Sequence, residues 1–177
     1  GVVAARMKLH LEGLVHETQT GVVPNRLILE NLTFNRDIIQ WSTLTRTPLY
    51  VAFLDFEKAF DRVSWEFRDR VLRKLGFPSA IINMIAALYN DASVKISING
   101  ELSDTITQGR GVRQGCPMSP FIFALFVEPL GELLRELAEE YGITLPPILA
   151  DNREGEVKVL ASQFADDTTI YCHHPHH

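Results

Sequence analysis

The chain has 177 residues, 46% of them hydrophobic and 22% charged, with a formal net charge of −5. That composition supports a sizeable core, enough for one domain or for one domain and part of another, and it excludes a disordered chain. The acidic balance gives no overall basic footprint for nucleic acid and counts against a free-standing nucleic-acid-binding module.

Cys116 and Cys172 stand far apart, with neither metal nor disulfide spacing, which fits a reduced, intracellular setting. No apolar run reaches the length of a membrane span. Arg6, Lys8 and His10 break any signal-peptide pattern, and the absence of an initial Met leads us to expect a cut edge at Gly1.

In chain order, residues 3–17 read as an amphipathic helix with Val3, Met7, Leu11 and Leu14 on one face. A turn at 19–24 leads to a second helix, about 27–40, with Ile28, Leu32 and Ile39 expected inward. The polar stretch 43–48 ends it. The apolar run 50–56 (YVAFLDF) suits a strand buried on both faces. Asp55, near its end, either needs a partner or a metal, or begins the cap of the next helix. That helix is expected over about 58–75, with Phe60, Val63, Phe67, Val71 and Leu75 in its stripe and Gly76 and Pro78 beyond it. Another helix covers about 79–90.

A hairpin follows around Asn99-Gly100. A three-residue loop sets Ile98 opposite Leu102 and Val94 opposite Ile106, and this register is preferred because it matches the apolar residues. Residues 108–120 are rich in glycine and proline, with Arg110, Arg113 and Gln114 interleaved, and their glycines permit close backbone approach. A long helix, about 118–141, starts at Pro117 or Pro120 and is apolar nearly all round in its first half. Pro146-Pro147 and residues 151–155 make a loop.

The final segment, VKVLASQFADDTTIYC (157–172), reads as strand, tight turn and return strand. Its tip carries Asp166 and Asp167. By itself Asp-Asp also describes a solvated turn. Two adjacent carboxylates are costly unless a cation lies between them, and oxygen-only ligands suit Mg²⁺. The last residues (CHHPHH) are either a zinc-binding cluster or a frayed or artificial end.

Three segments, LDFEKAFDRV (54–63), RGVRQGCPMSP (110–120) and FADD (164–167), together resemble the A, B and C motifs of a reverse transcriptase palm. The pattern is most similar to the non-LTR (LINE-type) retrotransposon enzymes, with Met118 where Leu is usual. Upstream, residues 19–26 (QTGVVPNR) resemble the family's Q-x-G-F-x-x-G-R segment, with Asn25 where Gly is commoner. The resemblance spans about residues 14–172.

It implies an α+β fold, with a palm-like antiparallel sheet packed on helices and part of the fingers. Residues 1–48 would be partial fingers, 49–172 the palm with the three motifs, and 173–177 a His-rich tail. It implies RNA-directed DNA polymerase activity on an RNA template and DNA primer, with deoxynucleoside triphosphates as substrates. The catalytic set would be Asp55, Asp166 and Asp167. These, with the Phe56 carbonyl, would hold two Mg²⁺, or Mn²⁺ as an alternative. Phe60 would sit under the incoming sugar and exclude a 2′-hydroxyl, or else serve only the core. Gln114 and Gly115 would line the nucleotide and template pocket, or form a loop that merely packs. Arg113 would contact phosphate or anchor the loop. Arg26 reads as a surface arginine, Lys58 as a solvated charge and Asp61 as a buried polar contact. The basic fingers and the thumb are expected to lie elsewhere, so the chain alone is expected to be inactive. Rival readings are a truncated, inactive retroelement remnant and a nucleotide cyclase. Phe60 and the Gln114 segment disfavour the cyclase, which has no template to accommodate.

Overall fold

The structure, a computed structural model, describes residues 2–89, 92–146, 149 and 157–173. Helices dominate: α1 (Val2–Lys8), α2 (Leu11–Leu14), α3 (Ile28–Thr45), α4 (Trp65–Lys74), α5 (Ser79–Tyr89) and α6 (Ser119–Tyr141). The strands are β1 (Tyr50–Leu54), β2 (Ser93–Val94), β3 (Ser97–Ile98), β4 (Glu101–Leu102), β5 (Ile106–Thr107), β6 (Ile143–Leu145), β7 (Val157–Val159), β8 (Ala161–Phe164) and β9 (Asp167–Cys172). The main sheet is antiparallel, in the order β1-β9-β8. The fold is α+β, as expected. Most of the expected loop at 146–155, and tail residues 174–177, lie outside the described residues.

Two apolar clusters hold the layers together. One joins Ala4, Met7 and Leu11 to Leu72, Ile82, Ile85 and the first half of α6. The other joins Ile38 to Ile143, Leu145 and Tyr171. Tyr171 is fully buried, and its hydroxyl bridges Ser162 Oγ (2.6 Å) and Asn35 Oδ1 (2.7 Å). Burial pushes its pKa up to about 12.

Several sequence expectations change. The first helix breaks at Leu9-His10 into α1 and α2. α3 turns a different face inward: Ile28, Leu32 and Ile39 are about half exposed, while Ile38 is buried, with Phe34 and Trp41 partly so. Asn31 and Asn35 share that inward stripe, and Asn35 bonds the Tyr171 hydroxyl, so hydrogen bonding overrides apolar periodicity. β1 is not buried on both faces: it is an edge strand, with Phe53 73% exposed. The helix expected over 58–75 is a 3₁₀ turn, Ala59–Arg62, followed by α4, which starts where Ser64 Oγ accepts from the Phe67 N–H. The hairpin pairs Ile98 with Glu101 across a two-residue loop, while Val94 does face Ile106. Both arms are exposed, so no buried face selects the register, and the turn residues decide it.

Candidate active site

β1 and β9 pair from Tyr50↔Cys172 to Leu54↔Thr168, and β8 pairs with β9 up to Phe164↔Asp167. Continuing the first register by one residue sets Asp55 beside Asp167. Asp166 occupies the adjoining turn. The two carboxylate segments, more than a hundred residues apart in sequence, thus share one end of one sheet. Their electrostatics agree: the Asp167 carboxyl is held above its ordinary pKa, first by desolvation, then by the charges of Asp166 and Asp55. No Lys, Arg or His among the described residues forms an ion pair with any of the three. Nor do three His, Cys, Asp or Glu side chains among the described residues converge as a ready-made metal cage. The donor set is nonetheless all oxygen, mutually repelling and accessible, which fits a hard divalent cation. The Phe56 carbonyl accepts from the Ala59 N–H at 3.2 Å, and its second lone pair is available.

Phe60, in the 3₁₀ turn that follows β1, meets the 110–120 segment. The Val112 N–H donates to the Phe60 carbonyl at 2.8 Å, and the Gly111 N–H to that of Val63 at 2.8 Å. Gly111, at φ 94°, lies against the Asp61 backbone, where a Cβ would come within 2.9 Å of the Asp61 carbonyl oxygen. The Asp61 side chain itself is exposed, not the buried contact expected of it. The Phe60 ring is partly buried and stacks on Phe123, centroids 4.6 Å apart. Arg113, Gln114 and Gly115 are exposed at the loop tip. The Arg113 carbonyl accepts from Ser119 Oγ at 2.6 Å, which fastens the loop to the start of α6. Gly115 has φ 81° and open space where a Cβ would stand.

The reverse transcriptase (RNA-dependent DNA polymerase) family matches residues 2–177. The chain belongs to the reverse transcriptase family. It is 32% identical over 168 residues to the transposon TX1 149 kDa protein of Xenopus laevis, covering 95% of this chain and 12% of that protein. It is 29% identical over 154 residues to the retrovirus-related Pol polyprotein of the type-2 retrotransposable element R2DM from Drosophila melanogaster, covering 87% of this chain and 13% of the relative. The chain thus spans about an eighth of the length of these relatives. A solved structure of apo telomerase from Candida tropicalis superposes with a TM-score of 0.60 at 16% identity, over 98% of this chain and 34% of the telomerase, which shows the shared fold. This is a reverse transcriptase domain of the non-LTR retrotransposon kind.

Sequence reasoning about this reverse transcriptase domain left Gln19 without a role. The Thr20 N–H donates to the Gln163 carbonyl (2.9 Å) and the Gln163 N–H to that of Thr18 (2.8 Å), so residues 18–20 extend the sheet beyond β8. The 2% exposed Gln19 then places its amide on the Ala165 backbone. Arg26, read as a surface arginine, is half-buried and donates to the carbonyls of Val15 (2.8 Å), His16 (2.5 Å) and Gln19 (2.7 Å). The Q-x-G…R spacing was the only signal in the sequence for this clasp.

Proposed function

We propose that the chain supplies the palm chemistry of RNA-templated DNA synthesis, transferring a deoxynucleotide from its triphosphate to a primer 3′-hydroxyl. One observation carries this reading: Asp55 from one strand and the Asp166-Asp167 turn from a distant hairpin share one end of one sheet, in the family's motif order. In this reading Asp55, Asp166 and Asp167, with the Phe56 carbonyl, hold two Mg²⁺, with Mn²⁺ as the alternative. The chemistry such ions would supply there is activation of the primer hydroxyl and stabilisation of the departing pyrophosphate.

The remaining groups position substrates. Exposed Gln114 and Gly115 face the templating pair, where a residue without Cβ permits close approach. Arg113, next to them, takes phosphate. Phe60, stiffened by its stack on Phe123, presents a ring edge against a 2′-hydroxyl. Residues 1–48 belong with the fingers and 49–172 with the palm. The relatives' greater length leaves room for the basic fingers and thumb that would grip a triphosphate and a duplex.

The test is primer extension on an RNA template by a longer protein carrying this chain, beside a nucleotide cyclase assay. Templated incorporation of deoxynucleotides is expected, and Phe60→Val is expected to admit ribonucleotides. Cyclase product without extension would overturn the reading, and activity in neither assay would favour an inactive remnant.

A further inference from the structure

We propose that Gln19 is a positioning residue of the carboxylate site: its side-chain amide holds the Ala165-Asp166 turn and so sets Asp166 and Asp167 against Asp55. The inference rests on the metal-site reading above and adds to it a group that touches neither ion nor substrate.

The geometry is specific. Gln19 Oε1 accepts from the N–H groups of Gly21 (2.8 Å) and Ala165 (2.8 Å), and Nε2 donates to the Ala165 carbonyl (3.0 Å). Both peptide groups of Ala165 therefore end on one side chain, which stands in for the next strand of the sheet just where backbone pairing stops. The turn needs such support. Ala165 has φ 53° and Asp166 has no positive φ, the pattern of a II′ turn, whose first central position favours glycine. Released from the clamp, an alanine there gains by returning to negative φ, and that movement re-aims the two carboxylates that follow it.

The clamp is itself fixed. Arg26 holds the Gln19 carbonyl, and the Thr18–Gln163 and Thr20–Gln163 bonds fix the backbone on either side of Gln19. Gly21 makes the approach feasible, since a Cβ at residue 21 would lie 2.1 Å from the Ala165 nitrogen. An amide suits the task because a carboxylate offers no donor for the Ala165 carbonyl and would add charge beside three acids.

The test compares the 177-residue chain with Gln19→Met, which keeps length and loses all three bonds. Amide hydrogen exchange is read without metal, and Mn²⁺ affinity is read from paramagnetic broadening of the amides around Asp55 and Asp166. We expect exchange at Ala165 to quicken at least tenfold relative to β1 amides, and Mn²⁺ affinity to fall at least fivefold. Adding Ala165→Gly, which accepts positive φ, should recover most of that affinity. Should Gln19→Met alone not fold, the same comparison is made within the Ala165→Gly background. A folded variant with lower melting temperature and unchanged Mn²⁺ affinity would show a merely structural glutamine and overturn the proposal. Wild-type chain with no broadening at these carboxylates would instead overturn the metal-site reading, and this inference with it.

Discussion

Two hairpins among the described residues turn in two residues, and they are held in opposite ways. Asn99-Gly100 joins β3 to β4 with both residues at positive φ, 52° and 88°, the I′ pattern that this dipeptide adopts unaided. Its arms are exposed and short. Ala165-Asp166 joins β8 to β9 with a residue ill suited to its backbone, flanked by buried strands and gripped by a side chain 146 positions away. The first turn is specified by its own chemistry. The second is specified by tertiary structure and carries charge at its tip. Strain held from outside is a pattern of functional sites, and here it coincides with the candidate carboxylates.

The sharpest way to break the comparison is through activity. In an extension-competent protein carrying this chain, Asp55→Asn or Asp166→Asn should reduce templated extension at least about a hundredfold, the scale of losing one electrostatic group that acts in the transition state. Asn99→Ser, at the other turn, should leave extension nearly unchanged. Near wild-type extension in either aspartate variant would remove the functional distinction between the turns.

Next in size is the steric support of the second turn. Gly21→Ala should cost about 1–3 kcal/mol, the range for overpacking a site that cannot give, because the new methyl would meet Ala165 backbone atoms. Gly109→Ala, with open space around it and no positive φ, should fall within about 0.5 kcal/mol of wild type. Urea unfolding of both variants checks the pair, and equal stabilities would show that segment 18–21 does not brace the turn.

The same contrast explains what could be read from the sequence. Apolar and β-branched runs in 157–172 located the turn and its return strand, although the incoming strand divides at Leu160 into β7, which pairs with β6, and β8. The candidate set Asp55, Asp166 and Asp167 came from motif order. Elements specified by neighbours in space were less legible. The inward stripe of α3 contains Asn31 and Asn35, which periodicity counts as outward. The run 50–54 is apolar enough for a central strand, yet β1 lies at the sheet edge. The Ile98 register was expected from a buried face that does not exist, although Asn99-Gly100 itself announces a two-residue turn. Gln19 is invisible to local reasoning because its partners lie at the far end of the chain.

A smaller effect separates the turns by pH. The folded chain holds the Asp167 pKa above its unfolded value, so between the two it binds more protons than the unfolded chain and its stability falls as pH rises. Asp167→Asn removes that loss. The variant should therefore gain stability over wild type at about pH 7 without metal, and the gain should vanish well below the unfolded carboxylate range. Saturating Mg²⁺ should stabilise wild type and not the variant to the same degree. Urea melts at both pH values decide it, and a gain that persists in acid would point to a cause other than charge.

The smallest effects come from exchanging the turn residues' roles, and their signs are opposite. At Gly100 a Cβ meets nothing within 4 Å, so Gly100→Ala is opposed by the backbone alone, at φ 88°. It should cost about 1 kcal/mol. At Ala165 the argument reverses. A left-handed alanine carries roughly 1–2 kcal/mol of strain, and glycine gives back roughly 0.5–1 kcal/mol of that in unfolded-state entropy. Ala165→Gly should therefore stabilise the chain slightly, by about 0.5 kcal/mol, in urea unfolding monitored at both turns by amide resonances. A loss of about 1 kcal/mol there instead would mean that the Ala165 backbone is at ease without help, and the two turns would no longer differ in what holds them.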